Sequence, residues 1–84
     1  MKHKIEIAPL ADYYIIAVKD KETDKLIDTF TLNESATDIL KLFCQGKDTA
    51  AVAQVIAEMY DAPHEKVLKD VVSIAKRLNS KGVL

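Results

Sequence analysis

The residues able to do chemistry are few, and their spacing suits no common reaction. His3 stands in the first residues and His64 opens a helical stretch, so the two histidines share no local motif and both read as solvated surface residues. His64 with Glu65 offers two metal ligands, but no third or fourth lies at the spacing a zinc site needs. Cys44 follows Phe43 at the end of an apolar stripe and reads as a small buried hydrophobe. A nucleophilic thiol would want a base within reach, and no histidine occupies that segment. Glu34 and Asp38 are one helical turn apart and resemble an acid pair. The positive end of a helix dipole accounts for them more simply. Gly46 and Gly82 are isolated, so no glycine-rich loop cradles a phosphate. The expectation is a chain with no catalytic residue, no metal site and no cofactor.

Those residues sit on 84 positions, the size of one domain spanning 1–84. Apolar residues make up 49% and charged residues 30%, the balance of a chain that folds around a core. The net charge of -1 argues against a phosphate-backbone partner, so no nucleic acid is expected. Lys4, Ile5, Glu6 and Ile7 alternate charge with apolar character, which leaves no signal-peptide core. No apolar run has the length to span a bilayer, so no membrane partner is expected. A single unpaired thiol fits a reducing compartment, and a cytoplasmic location is expected.

The chain changes character near Asn33. Before it the residues are β-branched and aromatic; after it apolar residues recur at helical spacing. Lys4 to Leu10 reads as a strand that Pro9 confines to an edge or a strand end. Tyr13 to Val18 is apolar on both faces, which suits the middle of a sheet. Asp20 to Lys25 is a polar hairpin loop. From Leu26 to Leu32 the pattern alternates, with Leu26, Phe30 and Leu32 on one face and Ile27, Thr29 and Thr31 on the other.

Three helices are expected next. Asn33 caps the first, whose stripe is Ala36, Ile39, Leu40 and Phe43, and Gly46 stops it. Asp48 or Thr49 caps the second, with Val52, Val55, Ile56 and Met59 along its apolar side. Pro63 opens the third, where Val67, Val71, Ile74 and Leu78 share one face. Val83 and Leu84 follow Gly82 as a tail able to fold back. The fold class is therefore α+β: a small winged-helix-like domain, with a three-stranded antiparallel sheet followed by three helices.

Two features of that arrangement point to binding. The Leu26–Leu32 strand follows the central strand and has no obvious neighbour on its other side, so its backbone can accept a partner strand. Beside the third helix's main face, Leu68, Val72 and Ala75 widen the apolar arc, flanked by Lys69, Lys76 and Arg77. Leu68 and Val72 fit two roles: packing on the sheet, or lining a groove next to the open strand.

With those residues set out, the chain resembles the PqqD-like family, named for pyrroloquinoline quinone synthesis protein D. The match rests on Phe30-Thr31-Leu32-Asn33-Glu34-Ser35-Ala36-Thr37-Asp38-Ile39-Leu40 and on the turn Gly46-Lys47-Asp48-Thr49. It continues through Val55-Ile56-Ala57-Glu58-Met59-Tyr60-Asp61, Pro63, Val67 and Asp70-Val71 to the closing Leu78-Asn79-Ser80-Lys81-Gly82-Val83-Leu84. It covers residues 26–84, and the earlier strands follow by pattern alone. The Asp20–Lys25 hairpin is longer and more charged than in many relatives.

The resemblance implies a recognition element for ribosomally made, post-translationally modified peptides. Such a module binds the leader segment of a precursor peptide and presents it to a modifying enzyme, often a radical S-adenosylmethionine enzyme. It implies a leader held as an added strand along Ile27, Asp28, Thr29, Phe30 and Thr31. Leu68, Val72 and Ala75 would then take apolar leader side chains, and Lys69, Lys76 and Arg77 would attract acidic ones. Two rival readings carry different signatures. A winged-helix DNA-binding protein would read with its third or second helix and needs that helix basic; Thr49 to Tyr60 contains no Lys or Arg, whereas the third helix carries Lys66, Lys69, Lys76 and Arg77. A scaffold that binds only its partner enzyme needs no peptide groove.

Overall fold

The structure, a computed structural model, describes residues 3–84. Strands β1 (Lys4–Leu10), β2 (Tyr13–Lys19) and β3 (Leu26–Leu32) precede helices α1 (Glu34–Cys44), α2 (Thr49–Met59) and α3 (His64–Ser80). The sheet is antiparallel in the order β1-β2-β3, so the doubly apolar β2 is central and β3 is an edge. Pro9 lies in β1, the other edge, where its missing N–H interrupts no ladder.

Two β-face residues per strand pin the sheet to the helices. Ile16, Val18, Phe30 and Leu32 are buried against Ala36 and Leu40 of α1 and Leu78 of α3, with Ile5 and Ile7 of β1 at the margin. A second cluster joins Ile39 of α1, Val52, Ala53 and Ile56 of α2, and Val67 and Val71 of α3. Phe43 and Ile74 touch both clusters and knit them together.

Caps fix where each helix begins and ends. Asn33 Oδ1 accepts from the Ala36 N–H at 2.9 Å, and Asp48 Oδ1 accepts from the Ala51 N–H at 2.9 Å. Gly46, at φ +85°, ends α1 in the left-handed region that a side chain would resist. After α3 the Val83 N–H donates to the Leu78 carbonyl at 2.9 Å, and Val83 is fully buried. The tail does fold back, and it closes the sheet-side core.

Four expectations need correction. Leu26 is 59% exposed instead of sharing the buried face of Phe30, because a bulge interrupts the register where Val18 pairs with Asp28 and Lys19 with Leu26. Met59 is 57% exposed: α2 buries Val52, Ala53 and Ile56, leaving its last turn outside the core. Cys44 is on the surface, with partial desolvation pushing its thiol above the ordinary value. A thiol of that kind is a poor nucleophile. His3 is partly buried, with Nδ1 2.6 Å from the Gly82 carbonyl, so it ties the start of the sheet to the tail.

Candidate peptide-binding groove

The hairpin before β3 is built from its own polar side chains. Asp20 Oδ1 accepts from the Glu22 and Thr23 N–H groups at 2.8 and 2.9 Å, which holds its carboxyl below the usual range. Asp24 turns in the left-handed region at φ 60°, and Lys4 Nζ bonds it at 3.0 Å. These contacts deliver β3 to the sheet rim, and among the described residues no strand covers its far side.

Two hydrogen bonds reveal which backbone groups point outward. The Thr29 N–H donates to Asp28 Oδ1 at 2.8 Å, and the Thr31 carbonyl accepts from Arg77 Nη2 at 3.1 Å. In an antiparallel strand the N–H and C=O of one residue share a direction, which reverses at the next residue. Thr29 and Thr31 therefore face the open rim, while Asp28, Phe30 and Leu32 face β2, where they pair with Val18, Ile16 and Tyr14. Ile27 occupies the bulge and is half exposed beside Leu26, so the start of the edge is apolar.

The helical wall of the groove comes from the C-terminal half of α3. Arg77 lies 5.6 Å and Lys81 5.8 Å from the centre of the Phe30 ring, so two cations bracket one aromatic face. Lys81 Nζ also stands 3.7 Å from Asp28 Oδ2. Beyond Thr31, a cleft of about 300 Å³ opens between the start of α1 and α3, lined by Asn33, Ser35, Asp70, Ser73, Ile74 and Arg77.

The strand residues expected at the site, Ile27 through Thr31, thus form one continuous edge. The helix residues divide. Leu68 packs into the cluster with α2, and Val72 and Ala75 lie with it about 140–180° around the helix from Arg77. Lys69 and Lys76 are exposed on the solvent side between the two flanks. The residues that meet β3 are Arg77 and Lys81, with Ile74 beneath. The signal for Lys81 was its place one turn after Arg77, which puts both on one face.

Elsewhere the polar constellations are structural. Asp38 of α1 accepts a hydrogen bond from the Tyr60 hydroxyl just after α2, so this carboxylate is a tie between helices. Among the described residues no group of three His, Cys, Asp or Glu side chains is placed to hold a metal ion. No helix among them is long and apolar enough to cross a membrane.

A three-stranded sheet whose β3 edge is flanked by the last of three helices defines a small winged-helix-like α+β module. The model of the family described as coenzyme PQQ synthesis protein D (PqqD) matches residues 20–84, and the chain belongs to that family. Among solved structures it is similar to the chain titled "TbiB1 in Complex with the TbiA(beta) Leader Peptide". The TM-score is 0.71 at 21% sequence identity, covering 100% of this chain and 94% of that one. Comparison with curated proteins finds no match.

Proposed function

We propose that this protein binds the leader segment of a ribosomally made precursor peptide and presents it to a modifying enzyme of the radical S-adenosylmethionine class. The observation that carries the reading is the β3 rim, with Thr29 and Thr31 turned outward beside a cationic helix face. An extended peptide laid on that rim gains ladder hydrogen bonds, and its alternate side chains meet the groove walls. Ile27 and Leu26 offer apolar contact at one end, and Phe30 with Ile74 forms the floor. Arg77 and Lys81, with Lys69 and Lys76 further out, favour a leader carrying acidic residues. The same fold in a chain titled as a leader-peptide complex supports this reading, as does membership of the PqqD family. α2 contains no Lys or Arg and so lacks the charge of a DNA-reading helix, while Lys66, Lys69, Lys76 and Arg77 of α3 belong to a chain whose net charge is -1.

The test is amide shift mapping with a synthetic leader segment of a candidate precursor peptide. Residues 26–32 and 74–81 should shift together. Shifts confined to α1 and α2 would overturn the proposal.

A further inference from the structure

Two of the outward backbone groups of β3 are already occupied. A bare edge strand accepts any extended chain, including a second copy of itself, unless something guards it. β1 carries its own guards: Pro9, and the ion pairs of Lys4 with Glu6 at 3.9 Å and with Asp24 at 3.0 Å. β3 has no proline, and Thr29 and Thr31, whose backbone groups turn to the rim, carry no charge. What guards it is a pair of side chains bonded to its backbone. Asp28 takes the Thr29 donor and Arg77 takes the Thr31 acceptor, which are two of the groups an added strand would use.

We infer that Asp28 and Arg77 form a removable cap on the β3 edge, closing it to second copies of this chain and making an incoming leader displace them. This deepens the proposed leader binding and rests on it for the identity of the incoming strand. The cap is held in place from behind. Lys81 stands 3.7 Å from the other Asp28 oxygen, and the Arg77 guanidinium rests over the Phe30 ring at 5.6 Å. Both capping hydrogen bonds are exposed, where water competes for the same groups, so the cap yields to a strand that also fills the groove. Displacement has somewhere to go. The released guanidinium borders the cleft that also contains Asp70, and the released carboxylate keeps Lys81. A peptide offering backbone bonds alone merely exchanges one set for another. A peptide with side chains for the groove gains beyond the exchange.

The experiment compares the wild-type chain with Asp28→Ala, Asp28→Asn and the double variant Asp28→Ala/Arg77→Ala. Loss of a charge-assisted bond should speed Thr29 amide exchange by about tenfold in Asp28→Ala. Asp28→Asn keeps an acceptor oxygen and should stay near the wild-type rate. In sedimentation the wild-type should run as a monomer and the double variant as a concentration-dependent dimer. The synthetic leader should bind Asp28→Ala about threefold to tenfold more tightly. Unchanged Thr29 exchange, a wild-type chain that already pairs through β3, a double variant as monomeric as wild type, or a leader affinity that falls in Asp28→Ala each overturns the cap. If exchange and sedimentation respond but no form binds the leader, the leader reading fails and the cap stands.

Discussion

Arg77 crosses from α3 to β3 and donates from Nη2 to the Thr31 carbonyl at 3.1 Å, while its guanidinium lies over the Phe30 ring. One side chain therefore touches the rim of the groove and its floor. The helix that completes the core through Val71 and Leu78 also sets the charge at the open strand. Core and candidate groove are two faces of the same helix, so substitutions must be chosen to separate them.

Phe30 belongs to the core. It is 8% exposed, packed among Leu32, Leu40 and Leu78 beneath the two cations. Phe30→Ala should cost about 3–5 kcal/mol, from lost transfer energy plus the cavity left behind. Against the about 5–15 kcal/mol typical of native domains, that is a large fraction of the whole, and at the low end of the range it unfolds much of the population. A urea curve checks it. A variant melting beside the wild type would mean the ring is not a core element.

Periodicity and end signals made most of the fold legible. Asn33, Asp48 and Gly46 act as the caps and stop their residue types favour, and β2 is central because both its faces are apolar. The open β3 edge followed from the chain having no fourth strand signal. What periodicity could not register is the bulge beside Lys19, which takes Leu26 out of the buried face. On α3, a wide apolar arc does not tell which flank meets the sheet. α2 takes Leu68, and the β3 flank is the polar one, with Arg77 and Lys81. Long side chains that reach back to a backbone carbonyl leave no periodic trace.

Tyr60 should give a signature at high pH. Its hydrogen bond to the Asp38 carboxylate pushes the phenol from 10.0 up to about 12. A folded-state pKa above the unfolded value means the proton favours folding. That contribution is fully present below pH 10 and is lost as the pH rises toward 12. Ultraviolet titration of the phenolate should show a late step that Tyr60→Phe abolishes. Tyr60→Phe should also flatten the fall in stability across that window. If the step lost in Tyr60→Phe lies near pH 10 and not later, the bond to Asp38 is excluded.

The tail offers a test of the core independent of the groove. Val83 is fully buried and tied back to Leu78 after the turn at Gly82. Removing two methyl groups in Val83→Ala should cost about 2 kcal/mol, and leader binding by the folded fraction should not change. The urea midpoint reports the first and a binding isotherm the second. An unchanged midpoint would show that the tail contributes nothing to the core.

Neighbouring prolines on β3 should separate binding from folding. Proline removes an N–H and fixes φ, and successive N–H groups on an antiparallel strand point in opposite directions. Thr29 turns its N–H to the rim, where Asp28 Oδ1 accepts it, and Asp28 sits opposite Val18 with its own N–H toward β2. Thr29→Pro should lower the melting temperature modestly, because it breaks no ladder bond, yet weaken leader binding sharply by deleting a donor the added strand needs. Asp28→Pro should do the reverse, breaking a bond inside the sheet and lowering the melting temperature first. Each variant needs one melting curve and one leader-binding isotherm, the isotherm taken at a temperature where both are folded. Equal losses of stability in the two would mean that Thr29 does not face an open rim, and the groove on β3 would have to be abandoned.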